Sequence, residues 1–184
     1  MKFYKEWLPL EKKQFRIVSM LADKGKYEGN LSELCDYFLE SRQTKNRNAI
    51  RESIYKLRDS GFITVHQRGR TLTIEAIPKD EEIEISKEWY DEIRLRPPSQ
   101  RSVSWEAVLK VLLWAHTNNY EDVITNKQIE MDLNISSSVI CSAKGVLDEE
   151  FGAIVREKVS EKIGENEFKT IGQHLSGSAF WNKN

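Results

Sequence analysis

The chain has 184 residues, 39% hydrophobic and 31% charged, with a formal net charge of −1. That length holds one medium domain or two small ones, and the balance is that of an ordinary soluble protein. No apolar run approaches the roughly 18 residues a membrane span needs, and Met1 to Trp7 is basic and aromatic without a signal core, so no membrane partner and a cytoplasmic location are expected.

The charge is unevenly placed. Residues 1–78 carry 15 Lys and Arg against 10 Asp and Glu, a net of +5, whereas residues 79–184 carry 13 against 19, a net of −6. A basic half joined to an acidic half suggests that one half meets a polyanion and the other does not. Cys35 and Cys141 are far apart, lie in apolar helical patterns and are expected to be buried free thiols. No cluster has metal-ligand spacing, and no cofactor is expected.

In chain order, residues 11–24 predict a helix, with Phe15, Val18, Leu21 and Ala22 at helical spacing and Gly25 as its stop. Asn30 is a good N-cap with Glu33 three residues on, and Leu31, Leu34, Cys35 and Phe38 give a second short helix. Glu40 to Thr44 reads as a turn. A third helix runs from about Lys45 to Ser60, with Ile50, Ile54 and Leu57 inward and Gly61 at its end. The period then changes to two: Ile63 and Val65, then Leu72 and Ile74, flank Gln67-Arg68-Gly69-Arg70, a hairpin with a glycine turn. Three short helices closed by a hairpin is the layout of a winged helix-turn-helix, expected over residues 1–78.

Residues 79–103 read as a linker. Lys79-Asp80-Glu81-Glu82 is acidic and solvated, Ser86 to Ile93 suits a short helix with Trp89 and Ile93 on one face, and Arg94 to Ser102 is extended because Pro97-Pro98 excludes a helix. The plan then repeats over residues 104–184. Ser104 caps a helix with the stripe Trp105, Val108, Leu109, Leu112 and His116. Thr125 to Gln128 is a capping box opening a helix with Ile129 and Leu133. Ser136 or Ser137 opens a third, with Val139, Ala143 and Val146 on one face. Gly152-Ala153-Ile154 echoes Gly61-Phe62-Ile63, and a second hairpin fits Val155–Val159 and Phe168–Ile171 around Gly164-Glu165-Asn166. Leu175 to Asn184, with Phe180 and Trp181, reads as a docked or frayed tail. The expected class is mainly α with small β-hairpins (α+β), built as tandem winged helix-turn-helix domains.

The outer face of the third helix points to double-stranded DNA. With Ile50, Ile54 and Leu57 inward, Lys45, Asn48, Arg51, Glu52, Tyr55 and Lys56 lie outward at 100° per residue. Lys, Arg and Asn are the types that meet phosphates and base edges. The preceding turn adds Ser41, Arg42, Gln43 and Thr44, and the hairpin tip adds Arg68 and Arg70, suited to a minor groove. From Ser41 to Ile74 there are eight basic residues and two acidic ones, a local +6. A solvated basic face is the bland alternative, but turn, helix and tip are three separate elements that the fold would bring to one surface. The second unit lacks this signature. Its third helix has only Lys144 against Asp148, Glu149 and Glu150, and its hairpin alternates Lys and Arg with Glu, a surface better suited to a partner protein or a second copy.

Trp7-Leu8-Pro9-Leu10 ahead of a helix, Asn46-Arg47-Asn48-Ala49-Ile50-Arg51, and Leu57-Arg58-Asp59-Ser60-Gly61-Phe62-Ile63 resemble the winged helix-turn-helix domains of phage and plasmid replication proteins and small bacterial regulators. There a basic helix, a leucine, a glycine, an apolar residue, an isoleucine and a basic hairpin recur in that order. The resemblance covers residues 7–77. It implies that the third helix is the recognition helix and that Arg68 to Arg70 form the wing tip. Two winged helices in one chain also resemble plasmid replication initiators, although this chain is shorter than most of them.

Nothing points to an enzyme. His66, His116 and His174 are scattered, the nine glycines sit mainly at turns, and no HExxH or GxSxG pattern occurs. The expected function is sequence-specific DNA binding, as a transcriptional regulator or a mobile-element replication or maintenance factor; the other reading is a non-enzymatic adaptor of tandem winged helices. Trp105, Val108, Leu109, Val111, Leu112, Leu113 and Trp114 crowd ten positions. Val111 and Trp114 fall off the stripe, so they need a second surface: the Trp89 helix, the tail or another copy of the chain in a twofold dimer.

Overall fold

The computed structural model describes residues 1–96, 103–118, 121–164 and 167–177. The chain is a mixed α+β protein with small sheets, and it divides into two compact units, Met1–Glu82 and Ile83–Asn184. No helix among the described residues is long and apolar enough to cross a membrane.

The first unit opens with strand β1 (Lys2–Tyr4) and a 3-10 turn (Lys5–Trp7) that bury Phe3, Trp7 and Leu8. This segment is tied to the end of the unit. The Lys5 N–H donates to the Glu81 carbonyl, and the Lys2 and Lys5 ammonium groups pair with Glu82 and Glu81. In the run 79–82 the acids Asp80, Glu81 and Glu82 are exposed, as expected, and Lys79 donates to the Gly61 carbonyl at 2.8 Å.

Helix α1 (Lys12–Lys24) has a capping box between Glu11 and Gln14 and stops at Gly25, whose φ of 72° suits only glycine well. Strand β2 (Lys26–Gly29) follows, then α2 (Leu31–Tyr37). The Asn30 side chain accepts from the N–H groups of Ser32 and Glu33, and Glu33 reaches back to the Asn30 N–H, completing a capping box. The turn into α3 (Thr44–Asp59) contains Leu39 at φ 55°, and Thr44 belongs to the helix rather than to the turn. Ile50, Ser53, Ile54 and Leu57 are the buried face of α3. Gly61, at φ 71°, turns the chain into β3 (Ile63–Arg68) and β4 (Thr71–Ala76). The sheet order is β2-β4-β3. The sequence predicts the β3–β4 hairpin but not β2, which pairs along β4 from Lys26 opposite Glu75 to Gly29 opposite Leu72. The core of the unit is Phe15, Ile17, Val18, Met20, Leu21, Leu34, Ile50, Ile54, Leu57 and Ile74.

Strand β5 (Glu82–Glu84) stands at the junction, and α4 (Lys87–Leu95) follows, with the Ser86 hydroxyl accepting from the Trp89 N–H. Tyr90 and Ile93 form its buried face; Trp89, expected there, is half-buried with its ring edge-on to Phe151 at 5.9 Å. Arg94 and Leu95 are helical rather than extended, and residues 97–102 lie outside the described set. Because α4 packs on α5 (Trp105–His116), these residues are part of the second unit.

Helix α5 is not amphipathic. Ten consecutive residues, Glu106 to Ala115, are buried, including the ionisable Glu106 and Lys110, while Trp105 and His116 at the ends of the expected stripe are half-buried. Its neighbours are α4, α6 (Asn126–Leu133), α7 (Ser137–Gly145), the π-helical turn Val146–Glu150 and β7 (Phe168–Gly177). Val111 and Trp114 are thus covered within the chain, Trp114 with its indole N–H donating to Asp132, and they supply no argument for a second copy. Of the expected face, Ala143 and Val146 are buried, while Val139 is half-buried and its neighbour Ile140 takes the inward place on α7, beside Lys144. Gly152, at φ 55°, leads into β6 (Ile154–Lys162), which pairs with β7 through a bulge after Val159. β7 runs on through Leu175 to Gly177, so the expected tail begins inside a strand. Its remainder, with Phe180 and Trp181, lies outside the described residues, as do Glu165 and Asn166 of the expected turn.

Candidate nucleic-acid interface

The site is built from the cap of α2, the outer face of α3 and the β3–β4 tip. Tyr27 on β2 donates to the Asn30 carbonyl at 2.8 Å, and burial pushes its phenol well above the usual tyrosine range, so it stays protonated and fixed. Gly29 leaves the space that Tyr27 and Glu33 occupy; a Cβ there would collide with both side chains. At the tip, Gly69 takes φ 62° and its carbonyl accepts from the Gln67 side chain at 2.9 Å, which holds Arg70 next to it.

These elements enclose a groove of about 680 Å³. Its polar lining is Asn30, Ser32, Thr44, Arg47, Asn48, Arg51, Tyr55, Gln67 and Arg70, over an apolar floor of Leu31, Ile54 and Leu72. Of the residues singled out from the sequence, Thr44, Asn48, Arg51, Tyr55 and Arg70 share it. Gln43, Lys45 and Arg68 are exposed but do not line it. Lys56 is exposed with Glu11 at 3.8 Å. Arg42 forms a two-pronged pair with Asp36 at 2.6 and 2.8 Å, which holds the Asp36 carboxyl below its ordinary range and occupies the guanidinium. Arg47, Asn30, Ser32 and Gln67 are lining residues that the sequence does not single out. The available signal was the spacing of Arg47 three residues after Thr44, whose hydroxyl it reaches at 3.3 Å.

Charge compensation separates this surface from the rest of the unit. Lys2, Lys5, Lys13, Arg16, Lys26, Arg42, Lys56 and Arg58 each have a carboxylate within 4 Å. Lys24 lies over the Tyr37 ring, and Lys79 over Phe62. Among the described residues, Lys45, Arg47, Arg51, Arg68 and Arg70 have no ion-pair partner, and three of these five line the groove.

The second unit offers a different arrangement. Lys144 is buried rather than a surface charge: its ammonium donates to the side-chain carbonyls of Asn126 at 2.7 Å and Gln173 at 2.9 Å, and burial lowers its pKa. Asn126 also donates to Cys141, which is exposed and not the buried thiol expected; Cys35 is buried. His66 is exposed, and His116 is half-buried with its pKa lowered to about 4 by burial. Among the described residues no group of three or more His, Cys, Asp or Glu is placed to hold a metal ion. The chain matches no protein-family model, and no curated protein resembles it closely enough to count as a relative.

Proposed function

We propose that residues 1–82 are a winged helix-turn-helix that binds double-stranded DNA in a sequence-specific way, with α3 as the recognition helix and the β3–β4 tip as the wing. The observation behind this is the segregation of uncompensated cations: five basic side chains without a carboxylate lie on α3 and the tip, in a unit where most of the others are paired. An unpaired exposed cation is stabilised most by a polyanion, and counterion release then supplies the affinity. The order α1-β2-α2-α3-β3-β4 with sheet order β2-β4-β3 agrees with the same class. A role as transcriptional regulator or mobile-element replication or maintenance factor follows, without enzymatic activity. The second unit we read as a further winged helix whose mixed surface suits a protein partner or a second copy. Exposed Ile163 and Phe168 near the end of its hairpin favour that role over phosphate contact.

The test is a salt titration of duplex binding by the full chain. The logarithm of affinity falls linearly with the logarithm of salt, by about 0.9 for each phosphate neutralised. Arg68→Ala with Arg70→Ala weakens binding to all sequences and reduces the slope by one to two. Binding to duplex DNA that ignores salt, or an unchanged slope in the double variant, removes the wing from the interface.

A further inference from the structure

We propose that Asn48 and Arg51 read two neighbouring base pairs, Asn48 an adenine and Arg51 a guanine, and that the other polar groups of the groove hold the duplex without reading it. This rests on the DNA-binding reading above. It comes from which lining groups are already committed. Arg47 is bonded to Thr44, Gln67 to the Gly69 carbonyl and Asn30 to Glu33, and the Tyr55 ring is covered by the Arg58 guanidinium at 4.8 Å. Asn48 and Arg51 are exposed, line the groove and have no hydrogen bond or ion pair within the described chain.

Their chemistry differs in a way that bases can tell apart. The asparagine amide presents one donor and one acceptor side by side, matching the N6 donor and N7 acceptor of adenine. The guanidinium fork presents two donors, matching O6 and N7 of guanine. Their spacing suits adjacent pairs. Three residues on an α-helix advance about 4.5 Å along the axis on nearly the same side, against about 3.4 Å per base pair. Arg70 and the Ser32 hydroxyl are also uncommitted lining groups, but they come from the tip and from α2, not from α3, so they meet backbone.

A randomised duplex library selected with the full-length protein tests this. The enriched motif contains an adenine column and a guanine column one step apart. Arg51→Lys keeps the charge but loses the planar fork, so it flattens the guanine column alone and leaves the salt slope unchanged. Asn48→Ala flattens the adenine column alone. Each substitution reduces preference at its own column by about five- to a hundredfold. Salt-dependent binding with no adenine–guanine step, or columns that both substitutions flatten together, overturns the assignment and leaves DNA binding intact. No salt-dependent binding to any duplex overturns both.

Discussion

Burial of His116 ties the stability of its unit to pH. It ends the buried helix α5, and a Cβ on Gly177 would fall 2.9 Å from its ring, so glycine leaves the imidazole its place. Desolvation holds its folded pKa at about 4, against an ordinary imidazole value of 6.5. Between those values the unfolded chain takes up a proton that the folded chain refuses. Stability is therefore full above about pH 6.5 and declines as pH falls toward 4. His116→Gln removes this contribution, so the difference in urea midpoint between wild type and variant changes across pH 6.5 to 4.5 and is constant above pH 7. A difference that stays constant over the whole range shows that the imidazole does not stay neutral in the fold.

Elements were legible in the sequence where a cap or a period marks them. Asn30 with Glu33, Gly25 and Gly61 bracket α1 to α3, and alternation marks β3 and β4. Strand β2 was not legible, because Lys26-Tyr27-Glu28-Gly29 has a single buried side chain and its pairing with β4 is a tertiary event. The outward face of α3 could be read from Ile50, Ile54 and Leu57, but the loss of Arg42 to Asp36 could not, since it depends on how the turn folds back. The same gap hides Lys144, which sits among Asp148, Glu149 and Glu150 in sequence yet lies inside the α6–α7–β7 junction bonded to two amides. Lys144→Ala takes the donor from the Gln173 side-chain carbonyl, while Asn126 still accepts from the Gln173 amide at 3.0 Å, and it lowers the stability of the second unit by about 1–3 kcal/mol. Denaturant melts of the full chain measure it, and DNA affinity at 25 °C stays at the wild-type value. A loss of affinity with unchanged stability places Lys144 in the interface instead.

At the scale of the whole molecule, the division at Glu82 and Ile83 matters for any dissection. Tyr90 and Ile93 are buried, and α4 packs on α5, so a cut at residue 104 strips the central helix of a cover. A fragment of residues 83–184 unfolds cooperatively on heating. One of residues 104–184 melts lower and broader, which circular dichroism records. Equal melting curves mean that α4 contributes nothing to the unit. Because residues 79–82 are one lysine and three acids, the charge split at this boundary is +3 for residues 1–82 and −4 for residues 83–184.

The unbalanced cations also impose an energetic conflict on the free protein. Arg47, Arg51 and Arg70 line one groove with no carboxylate of the described residues paired to them, so their mutual repulsion opposes folding. Added salt, with a Debye length of about 10 Å at 0.1 M, relaxes that repulsion and at the same time weakens the pull on a polyanion. The melting temperature of the first unit thus rises over the same salt range in which DNA affinity falls. If the proposed DNA binding holds, short duplex DNA at low salt raises the melting temperature more than salt does, and replacing Arg51 and Arg70 by glutamine flattens both responses. The surface proposed to bind DNA is the surface that strains the fold.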